Sequence, residues 1–434
     1  MTAKTLKIAF IVNYFPVLSE TFIVSELQNL LKRKIDLDIY SLFRSDKSFD
    51  RADLHELSQR TVYMTSLLSV SGLLRSHLYW LFRHPLRYLD TFFFACRYGN
   101  VLRLTRTAFA YIFFRNKSRK RFSKSDRQNL LVHFIMAAPL AQRIDRGRYN
   151  LVHGHFADAA TSFAMLIARL CGIPYSFTTH ATDLFVEPAL LPQKLAGAAF
   201  VLTCTGYNKE YITNHFKNIP AHKVILNYHG VDADSFSPVP GAIKDQPPLL
   251  LSVGRLVPKK GFDTLLQACA LLQKQNVAFN CLIIGDGPER HNLEEICREQ
   301  NLHSRVTLPG VVAPPEVKEL LARAAIFVLP CRIAANGDRD GIPNVLAEAM
   351  AMQVCVISTA ISGIPEIIEH EKSGFLLQPD SPGQLAETLK VLLENPQLGA
   401  ATGTAARQRV MQIFDKQQKC NELVDIFVNR LQLK

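Results

Sequence analysis

Asp340 and Glu348 are two carboxylates eight positions apart, and their setting suits chemistry on a sugar. Between them lies a short loop with Gly341 and Pro343, and helix-forming residues follow directly. Backbone N–H groups at a helix start attract anions, and a carboxylate accepts hydrogen bonds from hydroxyl groups. The pattern predicts a site for a phosphorylated sugar such as a sugar nucleotide. A capped surface helix with a solvated acid at each end is the alternative.

A second segment, 252–261, carries the cations Arg255 and Lys260 after a predicted strand and before a predicted helix. Two fixed cations suit a diphosphate leaving group, which develops negative charge as the glycosidic bond breaks. A solvated basic loop is the competing interpretation. Glycine-rich turns at Gly285 and Gly310 follow later strands, but alone they indicate little because the dinucleotide pattern G-x-G-x-x-G is not completed.

Three histidines close predicted strands of the first half of the chain, namely His153, His155 and His180. A lone histidine at a strand end is more often structural than catalytic. The pair at 153 and 155 could ligate a metal, but no cysteine or acid follows at zinc spacing. The sequence therefore predicts no metal site here.

The elements that position these residues alternate between strand and helix patterns along the whole chain, which predicts an α/β fold with parallel sheets. At 434 residues the chain exceeds what one hydrophobic core usually serves, so two domains are expected. We predict a linker near 227–241, a second strand–helix series from 248 onward, and a final helical stretch over 384–431. That stretch is expected to be interrupted at 395–396 and at Gly399.

The segment 340–350 resembles the E-x7-E signature of retaining glycosyltransferases of family four, with Asp340 in place of the usual first glutamate. The resemblance covers nearly the whole chain and is most specific over 248–377. It implies the GT-B fold, with two Rossmann-like domains facing a central cleft. Residues 1–226 would form the acceptor-side domain and 227–405 the nucleotide-sugar domain, while a last helix in 406–434 would cross back to the first domain.

The resemblance also implies roles for the motifs. Arg255 and Lys260 would hold the diphosphate, Glu348 the ribose, and His180 the donor sugar, together with Asp340. His180 lies in a segment similar to T-x-H-G-x-D, with Ala181 replacing the glycine. The donor would further contact the backbone or turns at Gly285, Gly310, Val311, Gly341, Ile342, Pro343 and Asn344.

On the acceptor side the resemblance points to Glu20 and His155. Glu20 lies in Ser19-Glu20-Thr21-Phe22, which is similar to the S-E-T-F variant of exopolysaccharide and colanic-acid-type enzymes. Ser19 also suits a helix N-cap, which would explain the segment without any ligand.

The implied reaction moves a hexosyl group, with retention, from a nucleoside diphosphate sugar to a saccharide acceptor, without a metal or other cofactor. Asp338-Arg339-Asp340 spells the D-x-D metal motif of the other large glycosyltransferase fold, but Arg255 and Lys260 would supply the charge instead. One alternative is another GT-B enzyme, such as a sugar-nucleotide epimerase, or a phosphorylase, whose pyridoxal lysine cannot be placed. The other is a non-catalytic protein that binds saccharide or membrane.

The net charge of +12 is concentrated in residues 67–148, which hold 16 Lys/Arg against three acids. Aromatic residues interleave with the arginines over 67–122, a pattern that suits an anionic membrane surface and a lipid-linked acceptor. A basic insertion that covers its own domain is the alternative; no nucleic-acid-binding signature accompanies the charge. Nine scattered cysteines and the lack of a long apolar run predict a cytoplasmic protein, peripheral on the inner face of the membrane if 67–122 binds lipid.

Overall fold

The computed structural model describes residues 6–17, 21–44, 54–99, 129–186 and 188–431. The chain separates into two compact units. The first unit comprises Met1–Thr203, Lys209–Asn227 and Cys420–Lys434, and the second comprises Cys204–Asn208 and Tyr228–Lys419. Glu20 of the predicted acceptor side, and residues 100–122 of the predicted membrane segment, lie outside the described residues.

A parallel sheet in the order β3-β2-β1-β4-β5-β6-β7 forms the centre of the first unit. Alternate residues of its first strand enter different cores, because successive side chains of a strand point to opposite faces. Ala9 and Ile11 pack in one core, whereas Ile8 and Phe10 pack in the other. Both faces are therefore covered, as parallel sheets require. The strands are β1 (Lys7–Phe15), β2 (Asp36–Arg44), β3 (Thr61–Tyr63), β4 (Leu151–His155), β5 (Tyr175–Thr179), β6 (Phe200–Thr203) and β7 (Val224–Leu226).

Helices cover this sheet, and one of them shows how local sequence sets its two ends. The helix at 159–171 begins where the Asp158 carboxylate accepts from Ala160 N, and it ends at Gly172, whose φ is +69°. The helices associated with this sheet are α1 (Thr21–Lys32), α2 (His55–Gln59), α3 (Met64–Leu67), α4 (Val70–Arg83), α5 (Pro85–Tyr98), α6 (Leu130–Gly147), α7 (Ala159–Cys171), α8 (Ala181–Phe185), α9 (Leu191–Gly197) and α10 (Gly206–His215), with a 3₁₀ turn at Ala221–Lys223.

The second unit is built on a parallel sheet in the order β10-β9-β8-β11-β12-β13. The order reverses direction between β8 and β11, which is where open α/β sheets bind ligands at the strand carboxyl ends. Its strands are β8 (Leu249–Val253), β9 (Asn280–Ile284), β10 (Val306–Gly310), β11 (Ile326–Leu329), β12 (Cys355–Thr359) and β13 (Phe375–Leu377). Its helices, followed by the helix that ends the described chain, are α11 (Phe262–Lys274), α12 (Arg290–Glu299), α13 (Pro314–Arg323), α14 (Asn344–Ala351), α15 (Ile364–Ile367), α16 (Pro382–Glu394), α17 (Pro396–Ile413) and α18 (Lys416–Arg430), with a 3₁₀ turn at Pro258–Lys260.

The predicted alternation of strands and helices is confirmed, but one predicted break is wrong. Gly399 lies inside α17 rather than between helices. Asn395 caps this helix by accepting from Leu398 N at 3.3 Å, and Thr402, Ala406 and Val410 are buried along it. That burial outweighs the roughly 1 kcal/mol that a helical glycine costs relative to alanine. The predicted break at 395 is confirmed, and the second break lies at 414–415 rather than at Gly399.

None of the described helices is long and apolar enough to cross a bilayer. All nine cysteines lie in the described part of the chain, and none of them forms a disulfide there.

Candidate active site

The candidate site of the second unit lies at the carboxyl ends of β8, β9 and β11, where the strand order reverses. Gly285, just after β9, is required there by close backbone approach. Its φ is +143°, and a Cβ at this position would lie 1.9 Å from Gly254 O. Gly261, at the start of α11, has φ +67°, and a Cβ there would lie 1.9 Å from Pro330 O. Side chains larger than hydrogen would therefore push the loops of this site apart.

Lys260 and Asp340 meet in this site, since the Lys260 Nζ lies 2.6 Å from Asp340 Oδ2. Lys259 approaches the same carboxylate at 3.3 Å and also pairs with Asp338 at 3.0 Å. The Cys331 thiol, next to the end of β11, donates to Asp340 Oδ2 at 3.7 Å. Asp340 is thus enclosed by two ammonium groups and a thiol, with only 15% of its side chain exposed.

The charges around Asp340 fix its ionisation. Burial alone would raise the pKa of this carboxyl group, but the ammonium groups of Lys260 and Lys259 outweigh burial and lower the pKa to about 2. Burial likewise works to lower the pKa of Lys260, but the Asp340 carboxylate raises it overall. Both partners are therefore charged at neutral pH.

Arg255 extends from the loop after β8, and its side chain is exposed. Within the described residues the Arg255 guanidinium makes no hydrogen bond or ion pair, although its charge acts on Lys260. An exposed guanidinium beside a buried ammonium can bind an anion with two parallel hydrogen bonds. The loop of Arg255 is tied to the turn after β9, because Leu256 N donates to Asp286 O at 3.0 Å.

Glu348 lies in the second turn of α14, as the sequence predicted. Burial raises the pKa of this carboxyl group to about 7, and it has no hydrogen bond or ion pair among the described residues. The helix begins after the buried Pro343, and no side chain caps its first N–H groups. Gly341, Ile342 and Asn344 lie in the segment that leads from Asp340 to this helix start.

The remaining predicted donor residues lie beside the turn after β9. Gly285 N donates to Gly310 O at 2.8 Å, which joins the turn to the end of β10. Val311, the next residue, leaves 76% of its side chain exposed. The fold therefore brings both turns to the same sheet edge as Arg255, and their contact with a nucleotide stays a prediction.

His180, in the first unit, follows β5 directly and is the N-cap residue of α8. Its ring centroid lies 4.4 Å from that of Phe156 and 5.1 Å from that of Phe22. Phe156 has φ +70°, a strained conformation for an aromatic residue that persists only where surrounding contacts hold it. The role of His180 towards a donor sugar stays a prediction.

Asp183 and Lys194 hold the strained turn from both sides. The Asp183 carboxylate accepts from Ala157 N at 2.5 Å, Thr179 Oγ1 at 3.0 Å and His180 N at 2.7 Å. The fully buried Lys194 Nζ donates to Ala157 O, Asp158 O and Ala189 O, each at 2.8 Å. Burial raises the pKa of Asp183 to about 7 and lowers that of Lys194 to about 8.

His153 and His155 are both fully buried. The ring nitrogens of His153 lie 2.8 Å from Ser176 Oγ and 3.0 Å from Thr178 Oγ1, and His155 Nε2 lies 3.2 Å from Glu26 Oε1. The fold thus brings an acid beside the two histidines that sequence spacing did not reveal. Because hydroxyls already occupy both nitrogens of His153, the cluster is a buried hydrogen-bond network. The role of His155 towards an acceptor stays a prediction.

Sequence reasoning missed Lys259, Asp183 and Lys194. Lys259 adjoins Lys260, and only the 3₁₀ turn at 258–260 directs both ammonium groups to Asp340. Lys194 lies close to Leu190, Leu191 and Leu195, but no local pattern marks it as buried, because lysine is almost never fully buried unless it is paired. Asp183 was part of the predicted motif, but its partners depend on the turn after β4.

Two family models match the chain. The model described as Glycosyltransferase Family 4 matches residues 93–235, and Glycosyl transferases group 1 matches residues 235–409. Together they cover both units.

Similar proteins come from several bacteria. A putative colanic acid biosynthesis glycosyltransferase, WcaL, from Escherichia coli K12 is 37% identical over 48% of this chain and 51% of its own length. The matched region therefore spans about half of this relative. The amylovoran biosynthesis glycosyltransferase AmsK from Erwinia amylovora is 28% identical over 97% of this chain and 99% of its own. A GDP-mannose-dependent phosphatidylinositol monomannoside mannosyltransferase from Mycobacterium tuberculosis is 32% identical over 58% of this chain and 69% of its own.

Solved structures share the fold at low identity. Sucrose-phosphate synthase from Thermosynechococcus elongatus superposes with a TM-score of 0.72 at 17% identity, covering 99% of this chain and 100% of its own. Anabaena HepE, solved with UDP and glucose, gives 0.68 at 16% identity, covering 98% and 100%. The predicted fold class is confirmed. The chain belongs to glycosyltransferase family four and has the GT-B fold.

Proposed function

We propose that this protein transfers a hexosyl group from a nucleoside diphosphate sugar to a saccharide hydroxyl, in the synthesis of exopolysaccharide or another glycoconjugate. The observation that carries the proposal is the charged cluster at the carboxyl edge of the second sheet. There, Lys260 and Asp340 pair at 2.6 Å beside the exposed Arg255. The relatives named for colanic acid and amylovoran support the biosynthetic setting.

The cluster offers separate groups for the two ends of a donor. Arg255 is exposed and accessible to a diphosphate, and Lys260 adds a second positive charge nearby. Asp340 is ionised at neutral pH and can accept from a sugar hydroxyl while it remains paired with the lysines. Among the described residues the carboxyl group of Glu348 has no hydrogen bond or ion pair, so it is available to ribose hydroxyls.

Retention and independence from metal are part of the proposal. We infer a front-side displacement in which the bond from the anomeric carbon to the diphosphate oxygen breaks as the acceptor oxygen bonds to the same face. The departing phosphate oxygen takes the acceptor's proton. Lys260 and Arg255 stabilise the charge that grows on this oxygen, which is why no divalent ion is required.

The test is a thermal-shift comparison with UDP, GDP and ADP, because the relatives and neighbours are named with both UDP and GDP-mannose. A nucleotide present at a hundred times its dissociation constant should stabilise the protein by about 2.7 kcal/mol. Lys260→Ala should abolish the shift, whereas Lys274→Ala, at the far end of α11, should keep it. If no nucleotide shifts the wild type, the donor site is not where we place it.

Turnover separates this function from the two alternatives. A sugar-nucleotide epimerase would convert the matching sugar nucleotide without an acceptor, and a binding protein would leave it intact. Product formed only in the presence of an added saccharide supports transfer. The anomeric configuration of that product, read by NMR, tests retention.

We further propose that the saccharide acceptor is carried on a lipid and that residues 67–122 bring the protein to an anionic membrane surface. Part of this segment, 67–99, is described and carries Arg75, Arg83, Arg87 and Arg97 as exposed cations. The name of the mycobacterial relative includes a phosphatidylinositol monomannoside, which supports a lipid-borne acceptor for this chain as well.

A further inference from the structure

The helices α4 and α5 of the first unit are apolar on two sides. On the inner side Leu73, Trp80 and Ala95 are buried, and the Trp80 indole donates to Ala138 O at 3.1 Å. A surface helix of a globular protein normally has one apolar stripe, facing the core. Here a second stripe faces away from the core.

The outer stripe follows helical spacing on both helices. It contains eight of the fourteen exposed large apolar side chains in the described part of the chain. The most exposed are Phe82 at 81% and Leu86 at 83%, and both flank the junction at His84 where α4 ends and α5 begins. The stripe consists of Val70, Leu74, Leu78, Leu81 and Phe82 on α4 and Leu86, Leu89 and Phe93 on α5.

The spacing shows that these residues form one face on each helix and are not scattered around it. Successive members of each helix lie mostly three or four positions apart, and residues at that separation are neighbours on a helix surface. Single exposed apolar residues are ordinary, whereas a contiguous apolar patch marks an interaction site. The junction at residues 82–86, where α4 ends and α5 begins, therefore holds the most exposed apolar side chains of the stripe.

The charge around this face is positive. Arg75, Arg83 and Arg97 are exposed on the same two helices. The one acid of these helices, Asp90, is paired with Arg169 at 2.7 Å, which offsets its negative charge. Directly after α5 the sequence adds nine Lys/Arg against one Asp over residues 100–128. Cations around exposed leucine and phenylalanine complement an anionic bilayer, which offers phosphate outside and hydrocarbon beneath.

We propose that the outer stripe, with Phe82 and Leu86 at its tip, inserts into the headgroup boundary of an anionic lipid bilayer. The arginines of α4 and α5 then contact lipid phosphates while the apolar side chains leave water. This deepens the membrane partner proposed above by naming the inserting residues. It does not depend on which donor the second unit binds.

The experiment is co-sedimentation of the full chain with vesicles of phosphatidylglycerol and phosphatidylcholine in equal parts, at low salt. Wild-type protein should bind, and the double variant Phe82→Ser/Leu86→Ser should bind at least tenfold more weakly. Ile243→Ser is the matched control, because Ile243 is 84% exposed, as Phe82 and Leu86 are, but belongs to the second unit. It should bind like the wild type.

Two further measurements make the result specific. Vesicles of phosphatidylcholine alone should bind the wild type much more weakly, and Arg75→Gln/Arg83→Gln should weaken binding to the anionic vesicles. Nucleotide-induced thermal shifts should be unchanged in all these variants, so failure here and failure of the donor site are distinguishable.

Three outcomes would overturn the inference. One is wild-type protein that ignores anionic vesicles, and another is a Phe82→Ser/Leu86→Ser variant that binds as tightly as the wild type. The third is a light-scattering result in which this variant converts a wild-type dimer to monomer without changing vesicle binding. In that case the stripe is covered by a second copy of the chain.

Discussion

Asp340 is the residue on which the candidate donor site depends most, because three neighbours point their polar hydrogens at one carboxylate. Lys260 approaches at 2.6 Å, Lys259 at 3.3 Å and the Cys331 thiol at 3.7 Å. A glutamate, the usual residue of this motif, would extend further into the space for a sugar. The shorter aspartate can satisfy both lysines from the loop, which would tie the proposed sugar contact to the proposed phosphate contact.

Asp340→Asn should therefore destabilise the protein and impair donor binding together. The change leaves two ammonium groups close to each other without their shared counter-charge, and breaking a buried pair in this way costs about 3 kcal/mol. Urea denaturation would measure the loss, and a thermal shift with the cognate nucleotide would measure binding. Asp340→Glu, which keeps the charge, should retain activity. An Asn variant as stable and active as wild type would show that Asp340 is only a loop acid.

The pKa of Glu348 is raised, whereas that of Asp340 is lowered, and the raised pKa gives a pH-dependent prediction. Burial raises the pKa of the Glu348 carboxyl group in the folded protein to about 7, above the ordinary value of 4.5. Its contribution to stability is fully present below pH 4.5 and is lost as the pH rises through 7, since the folded state then has to bury a charge. From the size of the shift, the loss is at most about 3 kcal/mol.

Glu348→Gln should remove that loss. The variant should unfold at a higher temperature than wild type at pH 8, with a much smaller difference at pH 4, as thermal denaturation at the two pH values would show. It should also bind the donor nucleotide more weakly, because the carboxylate acceptor is gone. A stability gain combined with a binding loss is expected of a functional residue. Equal melting temperatures at pH 8 would contradict the burial argument.

At the scale of elements, side chains from two helices hold the turn after β4 in place. Lys194 of α9 fixes the carbonyls of Ala157 and Asp158, and Asp183 of α8 fixes the N–H of Ala157. Together they keep Phe156 in a left-handed conformation against His180. The arrangement positions a predicted reaction residue through two neighbouring helices.

Lys194→Met should destabilise the first unit by about 3 kcal/mol, since three carbonyls around a fully buried ammonium group lose their donor. Lys223→Met is a suitable control, because Lys223 also donates to a carbonyl, Ala196 O at 2.7 Å, but from an exposed position. The control should cost well under 1 kcal/mol. Chemical denaturation of both variants would test this, and equal losses would mean that the buried contacts of Lys194 contribute nothing special.

Elements with clear periodicity could be predicted to the residue, whereas their polar contacts could not. The sequence predicts a first helix at Thr21–Lys32 and strands at Tyr175–Thr179, Phe200–Thr203 and Val224–Leu226. The bounds of α1, β5, β6 and β7 match this prediction, because apolar alternation and turn residues define these elements locally. Gly399 misled the prediction, because helix burial beyond the local sequence decided its state. The partners of Lys194 and Lys259 depend on loops brought together by the sheet order, and no local pattern carries that information.

At the scale of the whole molecule, positive charge is distributed in two different ways. Residues 67–148 hold a local charge of +13, more than the chain's total of +12. The second unit instead concentrates a few cations, Lys259, Lys260 and Arg255, at one sheet edge and offsets them with Asp338 and Asp340. The first distribution suits a surface partner, and the second suits a small charged ligand.

That second distribution predicts that turnover does not need a divalent ion. Both acids of the D-x-D sequence are already paired with lysines, so a metal would have to displace ammonium groups held at 2.6–3.3 Å. Activity should therefore persist in EDTA at the level seen with added magnesium or manganese. Lys260→Ala should lower kcat/KM by about a hundredfold, because it removes a charged contact to the leaving group. If EDTA instead stops the wild-type enzyme and manganese restores it, Asp338 and Asp340 are metal ligands, and the lysines only hold them in place before the ion arrives.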